Sequence, residues 1–308
     1  MRIMVVGAGG QVGEKVSHLA SERGHSVVET YMTRTPSRTD SSFQLDKTNN
    51  TQVSKVVNEA KPDVIVDTGA LHNVDYCESH PEEAFAINRD GTQNLAMASK
   101  NVNAKYVFVS TDYVFDGSAA PYTEKSMTSP LSVYALSKIQ GEENALYFNP
   151  NSIVVRPSVI YSWVPISKQK ESSSSGKPLN FAVWLVNQLR ADKEVKIVDD
   201  QVASPTLADD LAGAILALCE SKATGLFHTG GATPVSRFVF SIKLAEKLGL
   251  KKDLIRPIKT AELNQKARRP LDSSLVSERI ESETQYRMME LDMALELFTS
   301  QVREELRA

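Results

Sequence analysis

Residues 1–24 read MRIMVVGAGGQVGEKVSHLASERG, and the order of their parts decides the fold. An apolar run, Arg2–Val6, ends at Gly7. Gly9 and Gly10 follow, a helical pattern begins at Gln11 and continues to Arg23, and Gly24 stands just past its end. A strand that turns through glycines straight into a helix exposes the N–H groups of the helix's first turn, where the pyrophosphate of a dinucleotide can approach closely. Two spacings can be read. Gly7-x-Gly9 fits the ordinary dinucleotide pattern in part, because Val12 stands where its third glycine belongs. Gly7-x-x-Gly10-x-x-Gly13 fits fully.

Outward from this turn, apolar runs alternate with helix-length segments. The runs are Val27–Tyr31, Val64–Asp67, Tyr106–Ser110 and Ile153–Arg156; the segments are Thr51–Ala60, Pro81–Lys100 and Val133–Phe148. Runs as continuous as VIV and VFV suit strands buried on both faces. Strand and helix in alternation predict an α/β fold, a Rossmann-type doubly wound parallel sheet, with a smaller mixed α/β substrate-binding domain. Residues 1–160 are expected to form the NAD(P)-binding domain, with segments around 195–230 returning to it. Residues 161–308 are expected to form most of the discontinuous second domain. There, Trp163–Pro178 (WVPISKQKESSSSGKP) reads as a long loop. Helices are expected at Asn180–Ala191, Ala208–Glu220, Arg237–Leu248 and from about Glu283 to Leu306, the last with a solvated acidic face. Strands are expected at Val195–Val198 and near Leu226–His228.

Composition narrows the class. The 308 residues are 41% hydrophobic and 24% charged, which is globular. With 35 basic against 38 acidic residues, no nucleic-acid partner is expected. No apolar run approaches the roughly 18 residues of a membrane span, and the first residues lack the pattern of a signal peptide. Two cysteines and five scattered histidines offer no disulfide framework and no metal site. A cytoplasmic protein is expected.

Cofactor choice is read after the second run. The position where an acid would bind the ribose hydroxyls of NAD is Tyr31, and Arg34 and Arg38 follow. NADP(H) is favoured and NAD(H) is the alternative; loop arginines facing water are the plain reading. Asp46 is placed to accept from the adenine amino group.

Tyr134 and Lys138 are four residues apart, hence on one face of a helix. An ammonium beside a phenol is expected to lower the phenol's pKa, so that it can protonate a carbonyl oxygen as hydride reaches carbon. Upstream, the run Tyr106–Ser110 ends in hydroxyls and an acid, Ser110, Thr111 and Asp112, at the end of a strand where ligands of such sheets bind. Ser110 or Thr111 can bond the same carbonyl oxygen.

From here the match becomes specific. Ser110-Thr-Asp-Tyr-Val-Phe-Asp-Gly117, then Pro130–Tyr134 and Lys138, resemble the dTDP-4-dehydrorhamnose reductase family of extended short-chain dehydrogenases/reductases. Gly10–Gly13, Val74-Asp75 with Glu78, Asn88 with Gly91-Thr92, Asp200-Gln201 with Pro205-Thr206, and Ala267–Pro270 with Ser273 resemble other blocks of that family. The resemblance implies reduction of the C4 ketone of a nucleotide-linked sugar, most specifically dTDP-4-dehydro-L-rhamnose, by a homodimer. It implies Tyr134 as proton donor, Lys138 as its partner and ribose ligand, and Thr111 as the group orienting the carbonyl. Gly7, Gly10, Gln11, Val12, Gly13, Arg34, Asp46, Gly69, Ala70 and Ser110 would hold the cofactor with Tyr134 and Lys138. Val74, Asn88, Asp112 and Tyr113 would face the substrate, and Arg268 or Arg269 its diphosphate, unless these arginines form surface salt bridges. The sequence departs from the family at Val159, where a tryptophan often lies near the sugar, and in segment 163–178. Two other readings share the fold: an epimerase or dehydratase that retains NAD, and a non-catalytic NADP-binding subunit like the regulatory subunit of methionine adenosyltransferase.

Overall fold

The computed structural model describes residues 1–36, 42–165 and 180–307. The chain begins with β1 (Arg2–Val6), α1 (Gln11–Glu22), β2 (Ser26–Tyr31), β3 (Ser42–Gln44), α2 (Asn50–Ala60) and β4 (Val64–Asp67). Short helices α3 (Val74–Ser79) and α4 (Pro81–Phe85) lead through a π-turn at Ala86–Asp90 into α5 (Gly91–Asn101) and β5 (Lys105–Val109). Next come α6 (Val133–Phe148), β6 (Ser152–Arg156), β7 (Ser158–Tyr161), α7 (Phe181–Arg190), β8 (Val195–Val198), β9 (Val202–Ala203) and β10 (Pro205–Leu207). The chain ends with α8 (Ala208–Glu220), β11 (Gly225–His228), β12 (Val235–Ser236), α9 (Arg237–Leu248), β13 (Ile255–Ile258), α10 (Glu278–Thr284) and α11 (Leu291–Arg307).

The apolar runs pair as their two-sided burial requires. Seven strands form a parallel sheet in the order β11-β6-β5-β4-β1-β2-β3. Alternate side chains enter two separate cores. Ile3, Val5, Val66, Val107 and Val155 pack on α1 and α8, whereas Met4, Ile65, Tyr106, Phe108 and Val154 pack on α2, α5 and α6. Strand order reverses between β1 and β4, so a crevice opens beyond their carboxyl ends, at Gly7 and at Asp67-Thr68-Gly69. Local chemistry sets the helix ends: Asn49, Ser132 and Ser236 cap α2, α6 and α9 through their side chains, and Gly249 closes α9 in the left-handed region.

Beyond β6 the chain builds a third core from α7, α9, α11 and three two-stranded sheets, β10-β7, β12-β9 and β13-β8. Phe298 lies at its centre, wholly buried, with the rings of Tyr161 and Trp163 edge-on at 5.7 and 6.0 Å.

Two expectations need correction. Pro81–Lys100 is not one regular helix; the π-turn widens it where the Asn88 amide bonds the backbone of Leu71 on both sides. The tail is two helices. Gln285, in the left-handed region at φ 62°, separates them, and α11 buries Leu291, Leu295, Phe298 and Val302. Glu296 and Glu304 are exposed on the opposite face. Trp163 belongs to this third core, its indole Nε1 donating to Glu305 at 2.6 Å; the remainder of the expected loop, residues 166–178, lies outside the described residues, as does Arg38.

Truncating Phe298 to alanine should cost about 3–5 kcal/mol, by lost transfer energy and the cavity left behind. Urea unfolding followed by tryptophan fluorescence would read this, because Trp163 touches the same ring; an unchanged midpoint would contradict the packing described.

Candidate active site

The crevice is built from the ends of β1, β2, β4 and β5. At β1 the glycine turn is tight enough that a Cβ on Gly13 would lie 2.4 Å from the Gly7 carbonyl oxygen, and Gly7 has φ +80°. Gly10 is the N-cap of α1 and offers no capping side chain. The first-turn N–H groups therefore face the crevice, as an anion site requires. Gly9, Gln11 and Arg34 line one wall of a cleft, and Ser162, Trp163 and Val164 line the other. Asn180 ties the walls together, donating to Gln11 Oε1 at 3.2 Å and to the Ser162 carbonyl at 2.7 Å. These features fit a dinucleotide, and Arg34 stands against Gly9 of the turn. Asp46 Oδ1 accepts from the backbone and hydroxyl of Thr48.

Beyond β5, the hydroxyl of Thr111 lies beside the phenol of Tyr134 and favours its ionised form. Tyr113 stands edge-on to Tyr134 at 6.3 Å, and Val74 packs in the same apolar cluster. Lys138 lies one turn below Tyr134, almost wholly buried. Its ammonium donates to the Val109 carbonyl at 2.6 Å and sits 4.0 Å from the centroid of the Phe108 ring.

Burial changes both charge states. It pushes the Tyr134 phenol well up, against the pull of the Thr111 hydrogen bond. It pushes Lys138 down from 10.5 to about 7, with the Lys47 cation helping and Asp67 and Glu142 opposing. The expected lowering of the tyrosine is thus corrected: in this chain desolvation outweighs the ammonium, and Tyr134 is a firmly protonated phenol.

Three of the residues expected at ligand surfaces lie beneath the site instead. Asp112 is 2% exposed; its carboxylate accepts from Ser273 at 2.5 Å, Ser158 at 2.7 Å and Thr111 at 3.2 Å. Asn88 is fully buried and held by Leu71 and the Ser137 hydroxyl. Ser110 donates to Glu142, which also takes Arg156 through two contacts at 2.8 and 2.5 Å. Arg269 pairs with Asp75 at 2.8 Å, strapping its loop to α3, whereas Arg268 is exposed. Gly69 and Ala70 follow β4 at the crevice floor.

Sequence reasoning missed Lys47 and Asp67. Lys47 Nζ donates to Asp67 Oδ2 at 2.7 Å and to the Gly69 carbonyl at 2.6 Å. The tyrosine hydroxyl of Tyr106 donates to the same carboxylate oxygen at 2.9 Å. An acid closing the buried run VIVD was the available signal, since buried charges are paired.

A glycine-turned crevice with a buried tyrosine and lysine beside it defines a nicotinamide-dependent oxidoreductase of the short-chain dehydrogenase/reductase type. The model of the RmlD substrate binding domain matches residues 1–304. The chain is similar to the dTDP-4-dehydrorhamnose reductase of Sinorhizobium fredii, at 34% identity covering 74% of this chain and 77% of that one. It is also similar to methionine adenosyltransferase 2 subunit beta of Xenopus tropicalis, at 30% identity covering 83% and 75%. Among solved structures, the dTDP-4-dehydrorhamnose reductase of Bacillus anthracis in complex with NADP superimposes with a TM-score of 0.86, at 28% identity covering 97% and 99%. The chain belongs to the dTDP-4-dehydrorhamnose reductase family. No helix among the described residues is long and apolar enough to cross a membrane, and no group of three or more His, Cys, Asp or Glu among them could hold a metal.

Lys138 predicts a pH signature in the cofactor-free protein. Unfolded, it holds its proton to about pH 10.5; folded, to about 7. The unfolded state therefore binds more protons between these values, and Lys138 destabilises the fold most below pH 7. A Lys138→Met variant should gain melting temperature relative to the parent near pH 6, and the gain should shrink steadily toward pH 10. A constant difference would mean that Lys138 stays charged when folded.

Proposed function

We propose that this protein reduces the C4 ketone of a nucleotide-linked sugar with NADPH, the leading substrate being dTDP-4-dehydro-L-rhamnose and the product dTDP-L-rhamnose. The observation that carries the reading is the buried Thr111–Tyr134 hydroxyl pair, Thr111 just past the end of β5 and Tyr134 in the first turn of α6. When bound, NADPH supplies the hydride, and the protein supplies orientation and the proton.

The glycine turn and the open first turn of α1 would hold the diphosphate. Arg34 would meet the 2′-phosphate, Asp46 Oδ2 the adenine amino group, and Lys138 and Tyr134 the nicotinamide ribose. A ketone oxygen between Thr111 and Tyr134 meets two hydroxyl donors. Asp112 keeps its shorter bonds to Ser158 and Ser273 when Thr111 turns toward substrate, so the local charge stays satisfied. Tyr134 Oη is protonated across the neutral pH range and gives its proton to the alkoxide forming at C4. Lys138, once charged, stabilises the phenolate left behind. Val74 and Tyr113 give the sugar an apolar wall, and the exposed Arg268 is the free cation for the sugar's diphosphate, Arg269 being held by Asp75.

Oxidation of NADPH by enzymatically prepared dTDP-4-dehydro-L-rhamnose tests this. Tyr134→Phe should lose about 10²–10⁴-fold in turnover, the usual worth of a positioned acid, while still binding NADPH. Similarity to the methionine adenosyltransferase subunit supports a second reading, a partner protein that binds NADP without turnover. Absent turnover with intact NADPH binding would favour it. A separate measurement addresses the cofactor. Arg34→Ala should weaken NADPH by about tenfold or more, the worth of one charge-assisted phosphate contact, and leave NADH unchanged. Equal loss for both would remove Arg34 from the 2′-phosphate site.

A further inference from the structure

Lys47 occupies a place that its sequence context, Gln44-Leu-Asp-Lys-Thr-Asn49, does not suggest: it is 6% exposed. Its stem passes beneath α5 at Gly91, where a Cβ would lie 2.7 Å from Lys47 Cγ and 2.8 Å from Cε. A glycine at that turn of the helix leaves the channel through which the lysine reaches the end of β4. There its ammonium bonds Asp67 and the Gly69 carbonyl, and Asp67 Oδ1 in turn accepts the Gly69 N–H at 3.0 Å. Both polar groups of Gly69 are thus held by one ion pair.

The same pair lies beside Lys138. Asp67 is the ladder partner of Phe108, whose ring lies against the Lys138 ammonium. Neighbouring strands are about 4.8 Å apart, and Lys47, from the loop after β3, and Lys138, from α6, both act on the Asp67 carboxylate. The groups facing Lys138 are Lys47 from the loop after β3, Asp67 from β4, the Val109 carbonyl and Phe108 ring from β5, and Glu142 from its own helix. Glu142 is already neutralised by Arg156 from β6. Among the described residues facing Lys138, Lys47 is the one whose charge opposes a charge there, adding to the larger effect of burial.

We propose that Lys47 is a positioning residue of the dinucleotide site, pinning Gly69 at the crevice floor and setting a second positive charge beside Lys138. This rests on the reading of the crevice as a dinucleotide site. Its consequence is that Lys138 gives up its proton easily in the free protein and takes it back when anionic cofactor arrives. Affinity for NADPH then falls as pH rises above about 7, the value to which Lys138 is lowered.

The test is the dissociation constant of NADPH, by its fluorescence, from pH 6 to 10 in the parent, Lys47→Met and Lys47→Gln. Titration of the 2′-phosphate is common to all three and cancels. Both variants should shift the weakening upward by about one pH unit or more, because the opposing cation is gone. Lys47→Met should also bind about tenfold more weakly at pH 6.5, having lost the anchor on Gly69; Lys47→Gln, which keeps an amide donor and a better chance of folding, should recover part of that loss. Variants that bind like the parent at every pH would overturn the proposal, as would a lowered melting temperature with an unmoved pH profile. A parent chain that binds no NADPH would instead overturn the dinucleotide reading on which it stands.

Discussion

An amine without access to water governs the catalytic end of this sheet. Lys138 can be buried only if its charge is compensated or given up, and the strand ends around it manage that choice. β4 brings Asp67, β5 brings a carbonyl and an aromatic face, and β6 brings Arg156, which takes Glu142 out of contention. A buried ion pair gains little stability by itself, since desolvation offsets most of its attraction. What two such pairs on either side of Lys138 provide is definition. Each orients a strand end and fixes how much negative charge the lysine sees.

The tyrosine and lysine are consequently poised differently from a pair in water. Tyr134 keeps its proton and Lys138 gives its own up readily, so near neutral pH the tyrosine–lysine pair carries only part of one positive charge. The polar groups needed by the alkoxide forming at C4 are already ordered: Thr111 by Asp112, and Asp112 by two serines from β7 and from the loop preceding α10. Only the Thr111 hydroxyl would have to turn, from Asp112 toward the ketone oxygen; the groups beneath it stay in place.

Much of this was legible in the sequence because it is local. The β1 turn, the Tyr134–Lys138 spacing and the glycine just past the first helix are read from a few neighbours, and the structure agrees with them. What was not legible depends on residues far apart in the chain. Lys47 reads as a solvated loop residue because nothing near it shows that Gly91 will open a channel for it. Asp112 and Asn88 were assigned to the substrate by resemblance, but pattern alone cannot tell a group that faces ligand from one that is buried beneath it. The tail misled for a related reason. Met288 and Leu291 enter two different cores across a short break, and a single helical period cannot describe a segment that serves both.

The placement of β11 bears on how the protein is made. This strand, Gly225–His228, closes the outer edge of the sheet against β6, and α8, which immediately precedes it, covers one face of the strands laid down first. Until both have left the ribosome, β6 presents unpaired backbone and β1 an uncovered apolar face to the cell. A sheet begun with β1 is thus sealed only once β11 has been synthesised. Such an intermediate is a natural client for chaperones that shield open strand edges.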